Sequence, residues 1–322
     1  MRRPRLNALY YSMHHHCLVP RHLEDDLKRI RDLGAEGITI AALEQDLDAA
    51  AGNLDRLFSA VEDCGLEVHV APSRWAGLVA GSPKVPSSFA ARHPGTWSLE
   101  ASGQPVFQGH VGPVCSLFHP SVADFFEGEI RRWARAYPVA GFVWDEVKPV
   151  DFLDHHPLAL EAAGGGGPSA QRQLEAAAGF FDRMGRAAAD ARPGVRRSMF
   201  LYAHCGDAAL EVLGAIGALD AFGCDGRPWP AGDAPADPEH RADKSLITQG
   251  PRFLDCAKRN GKESLFLLEN HNFHSAEADA SMDRHLPELL AMGPDHLLFY
   301  YCARNTPDPE GQLAILAKHF RP

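Results

Sequence analysis

At 322 residues the chain can bury one large core, and it falls near the upper length of a single α/β barrel with extended loops. Its net charge of -10, with no Lys/Arg cluster longer than a pair beyond the first residues, argues against a nucleic-acid or anionic-membrane surface. A small neutral or cationic ligand fits that balance better.

Met1-Arg2-Arg3-Pro4-Arg5-Leu6 is basic, but Asn7, Tyr10, Tyr11, Ser12 and His14 follow without a sustained apolar stretch, so no signal peptide is expected. Leu6 to Met13 reads as the first strand, and Leu23, Leu27, Ile30 and Leu33 mark one face of a helix that stops at Gly34. Gly37 to Ala42 is the second strand. Leu54, Leu57, Phe58 and Val61 belong to a second helix ending at Gly65, and Leu66 to Ala71 is the third strand. Val122, Phe125, Phe126, Ile130 and Trp133 define a third helix that leads into a fourth strand, Ala140 to Glu146. The alternation continues with a helix near Ala170 to Ala191, a strand from Ser198 to His204, a helix from Ala208 to Ile216 and a strand from Leu219 to Asp225. A sixth helix carries Phe253, Leu254 and Ala257, and Ser264 to Glu269 is the seventh strand. Leu286, Leu289 and Leu290 lie on the seventh helix, Leu297 to Cys302 is the eighth strand, and Leu313, Leu316 and Phe320 close with the eighth helix.

Eight strand-helix units predict a single (β/α)8 barrel over residues 1–322. A doubly wound open sheet is the competing fold, weakened because no G-x-G-x-x-G follows the first strand. Gly164 to Gly167 precedes the fourth helix beside Pro168 and reads as a linker, not a phosphate cradle. Long segments follow the third, fourth and sixth strands, all on the rim where such barrels bind substrate, which predicts a lid or cleft wall. No apolar run reaches membrane-spanning length. The seven cysteines (Cys17, Cys64, Cys115, Cys205, Cys224, Cys256 and Cys302) are scattered and never form C-x-x-C, so neither a disulfide framework nor a thiolate zinc site is expected, and a reduced cytoplasmic home is.

Acids at the carboxyl ends of barrel strands are candidates for chemistry, and this chain has Trp144-Asp145-Glu146 ending the fourth strand, Cys224-Asp225 the sixth and Glu269-Asn270 the seventh. Glycosidic hydrolysis needs one carboxylic acid to protonate the leaving oxygen and one carboxylate to attack or to activate water. Strands four and seven can present Glu146 and Glu269 across the barrel mouth. This pattern resembles the clan A retaining glycoside hydrolases, TIM-barrel enzymes with an acid/base Glu ending strand four and a nucleophilic Glu ending strand seven. In that clan an Asn usually precedes the strand-four acid, whereas Asp145 does here. Trp144-Asp145-Glu146 also looks like barrel glycosidases of other clans with a nucleophilic Asp ending strand four, and Asp145 with Asp225 is then the competing pair. Side-chain alternation leaves the choice between Asp145 and Glu146 open.

Sugar faces stack on aromatic planes, and Trp75, Trp97, Trp229, Tyr300 and Tyr301 lie near the same rim, whereas Trp133 belongs to a helix's core face. Arg74, Trp75, Lys148, Trp229, Asn270 and Tyr301 are expected to shape the cleft. His14-His15-His16, His204, His271 and His274 add imidazoles near strand ends. A His-x-His on strand one with a His on strand five resembles the metal-dependent amidohydrolases. That pattern also wants a His ending strand six and an Asp ending strand eight, where Cys224-Asp225 and Arg304-Asn305 stand. His14, His16, His204 and His271 are therefore expected to contact substrate hydroxyls, with no metal or other cofactor, while a metal-dependent amidohydrolase-like enzyme or sugar isomerase or epimerase, or a barrel that only binds carbohydrate, stays open. The expectation is a glycosidase acting on a small-molecule or oligosaccharide substrate, with protonated Glu146 as acid, Glu269 as nucleophile and Asp145 on a neighbouring hydroxyl. No nucleic-acid or membrane partner is expected, and self-association is left open.

Overall fold

In the computed structural model, residues 3–10, 18–109, 112–165, 167–233, 235, 244–273, 275–301 and 305–320 are described. Eight parallel strands form a closed ring in sequence order: β1 Arg5–Leu9, β2 Gly37–Ala42, β3 Glu67–Pro72, β4 Gly141–Asp145, β5 Arg196–Tyr202, β6 Ala221–Gly226, β7 Glu263–Leu268 and β8 His296–Tyr300. β1 pairs with β8 from Arg5↔His296 to Leu9↔Tyr300, which closes the cylinder and rules out the open doubly wound sheet. The sheath consists of α1 Pro20–Asp32, α2 Ala51–Asp63, α3 Pro120–Ala136, α4 Ala170–Ala191, α5 Asp207–Gly214, α6 Leu246–Arg259, α7 Ala276–Ala291 and α8 Pro309–Phe320. None of these helices is long and apolar enough to cross a membrane.

Strand alternation sorts the residues into two apolar layers. Leu9, Ala71, Val143, Phe200, Leu265, Leu267 and Leu298 point inward and fill the cylinder. Their neighbours point out onto the helices: Trp144 meets Phe181 of α4 edge-on at 6.0 Å, and Phe222 lies 6.1 Å from Phe253 of α6. Strands buried on both faces read as nearly continuous apolar runs, which is why Gly37–Ala42 and Glu263–Leu268 stood out in the sequence.

The described residues between β3 and α3 form a wall. It holds a short helix, Ser88–Arg92, and antiparallel bridges Trp97↔Cys115, Leu99↔Pro105 and Phe107↔Pro113. Glu44, just after β2, anchors it. One carboxylate oxygen accepts from Ala76 N (3.0 Å) and Ser87 Oγ (2.6 Å), the other from Ser88 Oγ (2.7 Å) and Phe89 N (2.7 Å). Asp154, after β4, joins the next loop to it by accepting from Ser98 Oγ and Leu99 N, both at 3.1 Å. Removing the Glu44 carboxylate strands two backbone N–H groups and two hydroxyls in a buried setting. Glu44→Ala is therefore expected to cost about 3 kcal/mol of stability and to open residues 74–115 to limited proteolysis, read by chemical denaturation and by mapping the cleavage sites.

Candidate active site

The inward row continues past the apolar layer into a polar mouth. Counting by twos from Val143, Phe200, Ala221, Leu267 and Leu298 leads to Asp145, Tyr202, Asp225, Glu269 and Tyr300, and all five line one cleft of about 290 Å³. Glu146 should face outward by the same count. Its backbone instead adopts φ 39°, while its N–H still donates to Phe200 O at 3.1 Å, so the chain stays in the ladder as the side chain turns into the mouth. Asp145 and Glu146 both line the cleft for that reason. A left-handed backbone at a glutamate is costly, and Arg74 (φ 59°) and Asn272 (φ 55°), on the same cleft, share it. Three of the five positive-φ residues other than glycine among those described thus border one opening, which is where strain accompanies function.

Three acids converge there: one carboxylate oxygen each from Glu146, Asp225 and Glu269 lies within 4.8 Å of the other two. Glu146 accepts from Lys148 Nζ at 2.7 Å, and that ammonium also bonds the Tyr202 hydroxyl and lies 4.4 Å from its ring centre. Lys244 Nζ and Arg227 Nε approach Glu269 at 3.7 and 3.8 Å. Arg227 is buried behind it, donating to Glu269 O at 2.7 Å and His271 O at 2.6 Å, which fixes the turn after β7. His271 meets the Tyr300 ring edge-on at 4.3 Å.

The acids do not share charge equally. Burial, with the Glu146 and Glu269 charges beside it, pushes Asp225 well above the usual carboxylate range, and its hydrogen bond to Glu146 acts in the same direction. Burial also works to raise Glu146, but the Lys148 ammonium and the Asp225 hydrogen bond outweigh it and hold Glu146 below its ordinary value. The shifts run in opposite directions within the pair: Asp225 is the member pushed toward its protonated form and Glu146 the one held toward its ionised form, whereas the sequence reading gives the acid role to Glu146. Among the described residues these three carboxylates are also the set close enough to share a cation, although Lys148 and Lys244 already neutralise two of them.

Of the residues expected from sequence, Asp145, Glu146, Glu269, Asp225, Arg74, Lys148 and His271 line the cleft. Five others do not. Trp75 is fully buried, donates its indole N–H to Ala42 O at 2.8 Å and packs on Phe126 of α3. Trp229 is buried with Phe273, Ala278 and Met282, away from the opening. Asn270 ties β7 to β8, donating to Tyr300 O at 2.9 Å and accepting from Tyr300 N at 2.8 Å. Tyr301 points outward, its hydroxyl on Asp26 at 2.9 Å, and the neighbouring Tyr300 takes the cleft position. His204 packs against the Tyr202 ring outside the lining. His14, His16 and His274 lie outside the described residues. Tyr202, Lys244 and Asn272 were missed; Tyr202 could have been found by counting inward positions along β5, whereas Lys244 has no periodic signal.

No family model and no curated protein matches this chain. Many solved structures do match its fold. The β-galactosidase from the psychrophilic Marinomonas ef1 superposes with a TM-score of 0.68 at 10% identity, over 98% of this chain and 59% of that one. The catalytic domain of the β-amylase from Paenibacillus polymyxa gives 0.64 at 9% identity over 98% and 97%, and GH5_18 from Streptomyces cattleya in complex with GlcNAc gives 0.61 at 16% over 99% and 81%. The chain thus spans about three-fifths of the β-galactosidase and nearly the whole β-amylase domain. At such identities the likeness is one of fold: this is a (β/α)8 barrel that resembles the barrels of several glycoside hydrolase families.

Proposed function

We propose that the chain is one catalytic domain, a retaining glycosidase working at the mouth between β4, β6 and β7. The observation that carries this reading is the convergence of Glu146, Asp225 and Glu269 at the barrel mouth, one carboxylate oxygen from each within 4.8 Å of the other two, which supplies the closely spaced carboxyls that a retaining mechanism uses. Glu269, flanked but not tightly held by two cations, attacks the anomeric carbon as the bond to the leaving oxygen breaks, and the Glu146–Asp225 pair, with Asp225 the member pushed toward its protonated form, gives that oxygen a proton. The pair, now without the proton, takes one from water, whose oxygen attacks the anomeric carbon and frees Glu269. Two inversions give net retention. Asp145 and His271 are positioned for sugar hydroxyls, and Tyr300 offers an aromatic edge. The unpaired Cys64, Cys115, Cys205, Cys224 and Cys256 support a reduced, cytoplasmic setting.

The test is a panel of aryl glycosides, with the first-formed product followed by proton NMR. Release of the same anomer as the substrate is expected; the opposite anomer would replace the covalent mechanism with direct attack by water. A metal-dependent isomerase or epimerase is the second reading, because the same three carboxylates could share a cation. Stoichiometric zinc or manganese with chelator-sensitive turnover would favour it.

A further inference from the structure

Tyr202 lines the cleft from the inward face of β5 and has no part in the steps assigned to the three acids. Its place in the ring is specific. β5 lies between β4 and β6, and the register sets Tyr202 beside Asp225. On its other side Lys148 Nζ bonds both Glu146 and the Tyr202 hydroxyl, so the phenol oxygen and that carboxylate are neighbours on one ammonium. The hydroxyl thus stands between the two members of the acid pair, with Glu269 beyond Asp225 on the far side.

The donor count assigns a direction to this hydroxyl. An ammonium has three N–H donors and no acceptor, so the phenol oxygen accepts from Lys148 and its own proton is not engaged by that contact. Among the described residues, Lys148 is the hydrogen-bonding partner of the Tyr202 hydroxyl. The ring is held as well, with the ammonium 4.4 Å from its centre and the His204 ring at 5.1 Å. Holding Lys148 uses only a lone pair of the phenol; the O–H is left to a ligand in the cleft.

We infer that Tyr202 is a catalytic residue whose O–H donates a hydrogen bond to the leaving oxygen as the glycosidic bond breaks. The inference rests on the glycosidase reading of the same site. The proton that the leaving oxygen acquires still comes from the Glu146–Asp225 pair. The phenol keeps its own proton and stabilises the negative charge that grows on that oxygen before the transfer is complete. Lys148, bonded to the phenol oxygen, polarises the O–H and makes it a stronger donor.

The experiment compares Tyr202→Phe with the wild type on alkyl, 4-nitrophenyl and 2,4-dinitrophenyl glycosides of one sugar, with kcat/KM followed across pH. Phenylalanine keeps the ring against Lys148 and His204, so the fold should persist, as thermal melting would check. On alkyl glycosides kcat/KM is expected to fall by about 100-fold, and on 2,4-dinitrophenyl glycosides by less than about threefold, because a delocalised leaving anion gains little from one donor. The alkaline limb should stay in place. That readout separates contact from positioning: a Tyr202 that acted only through Lys148 on Glu146 would shift the limb when replaced, as Lys148→Met should. No loss, an equal loss on all leaving groups, or a shifted limb would overturn the inference and leave the glycosidase reading standing. If the wild type turns over no glycoside, that reading fails and the inference falls with it.

Discussion

Glu269→Gln is expected to lower kcat/KM by on the order of 10⁴-fold or more on every substrate, including those with the best leaving groups. The amide keeps the shape of the side chain and the backbone bonds that Arg227 makes to Glu269 O and His271 O, so the fold should persist. It removes the charge that attacks the anomeric carbon. It also leaves Lys244 and Arg227 facing a neutral group at 3.7 and 3.8 Å, so the remaining field disfavours the positive charge that grows on the sugar. A truncation separates attack from electrostatics. In Glu269→Ala, azide or formate should restore turnover of activated aryl glycosides and give a product of inverted configuration, because the small anion attacks from the face the carboxylate vacated. Near-wild-type activity in both variants would remove Glu269 from the mechanism and turn attention to Asp145 with Asp225.

The barrel was legible in the sequence because parallel strands buried on both faces leave short apolar runs, and glycines at 34 and 65, both at positive φ, end the helices between them. The strand-end acids were legible for the same reason, since a carboxylate at the carboxyl end of an apolar run has few structural uses. What periodicity could not show is a single dihedral. Nothing in Trp144-Asp145-Glu146-Val147 announces that Glu146 takes φ 39°, and that rotation brings both acids to the opening. The choice of Tyr301 over Tyr300 was an error of parity: without an inward reference such as Leu298, a strand can be counted from either face. Trp75 and Trp229 were misplaced because a large indole near a rim gains more from full burial, with its N–H satisfied or its rings packed, than from waiting at the surface for a sugar. The upward shift of Asp225 was beyond the sequence altogether, since it depends on burial and on carboxyls from β4, β6 and β7 meeting in one place.

The raised Asp225 carboxyl yields the most selective prediction. Asp225→Asn replaces a carboxylic acid with a group of the same shape that can still donate to Glu146 but cannot release a proton to a leaving oxygen. Turnover of alkyl glycosides should fall by about 10³-fold, whereas 2,4-dinitrophenyl glycosides, whose leaving group needs no proton, should lose far less. The stability change should have the opposite sign. Asp225 titrates above its unfolded value, so the folded state holds the extra proton; its contribution is full below the ordinary aspartate range and is lost as pH rises through the raised folded value. The asparagine never ionises. The variant should therefore match the wild type in acid and melt higher above the ordinary aspartate range, by about 2–4 °C, with the gap growing until pH reaches the raised folded value. The wild-type alkaline limb of kcat/KM should lie well above the pH of an ordinary carboxyl and vanish from the residual activity of the variant. Lys148→Met, which removes the cation that holds Glu146 ionised, should move that limb, because a proton shared between two carboxyls responds to any charge placed beside either of them. Equal losses on all leaving groups, with no gain in alkaline stability, would mean that Asp225 only positions its neighbours.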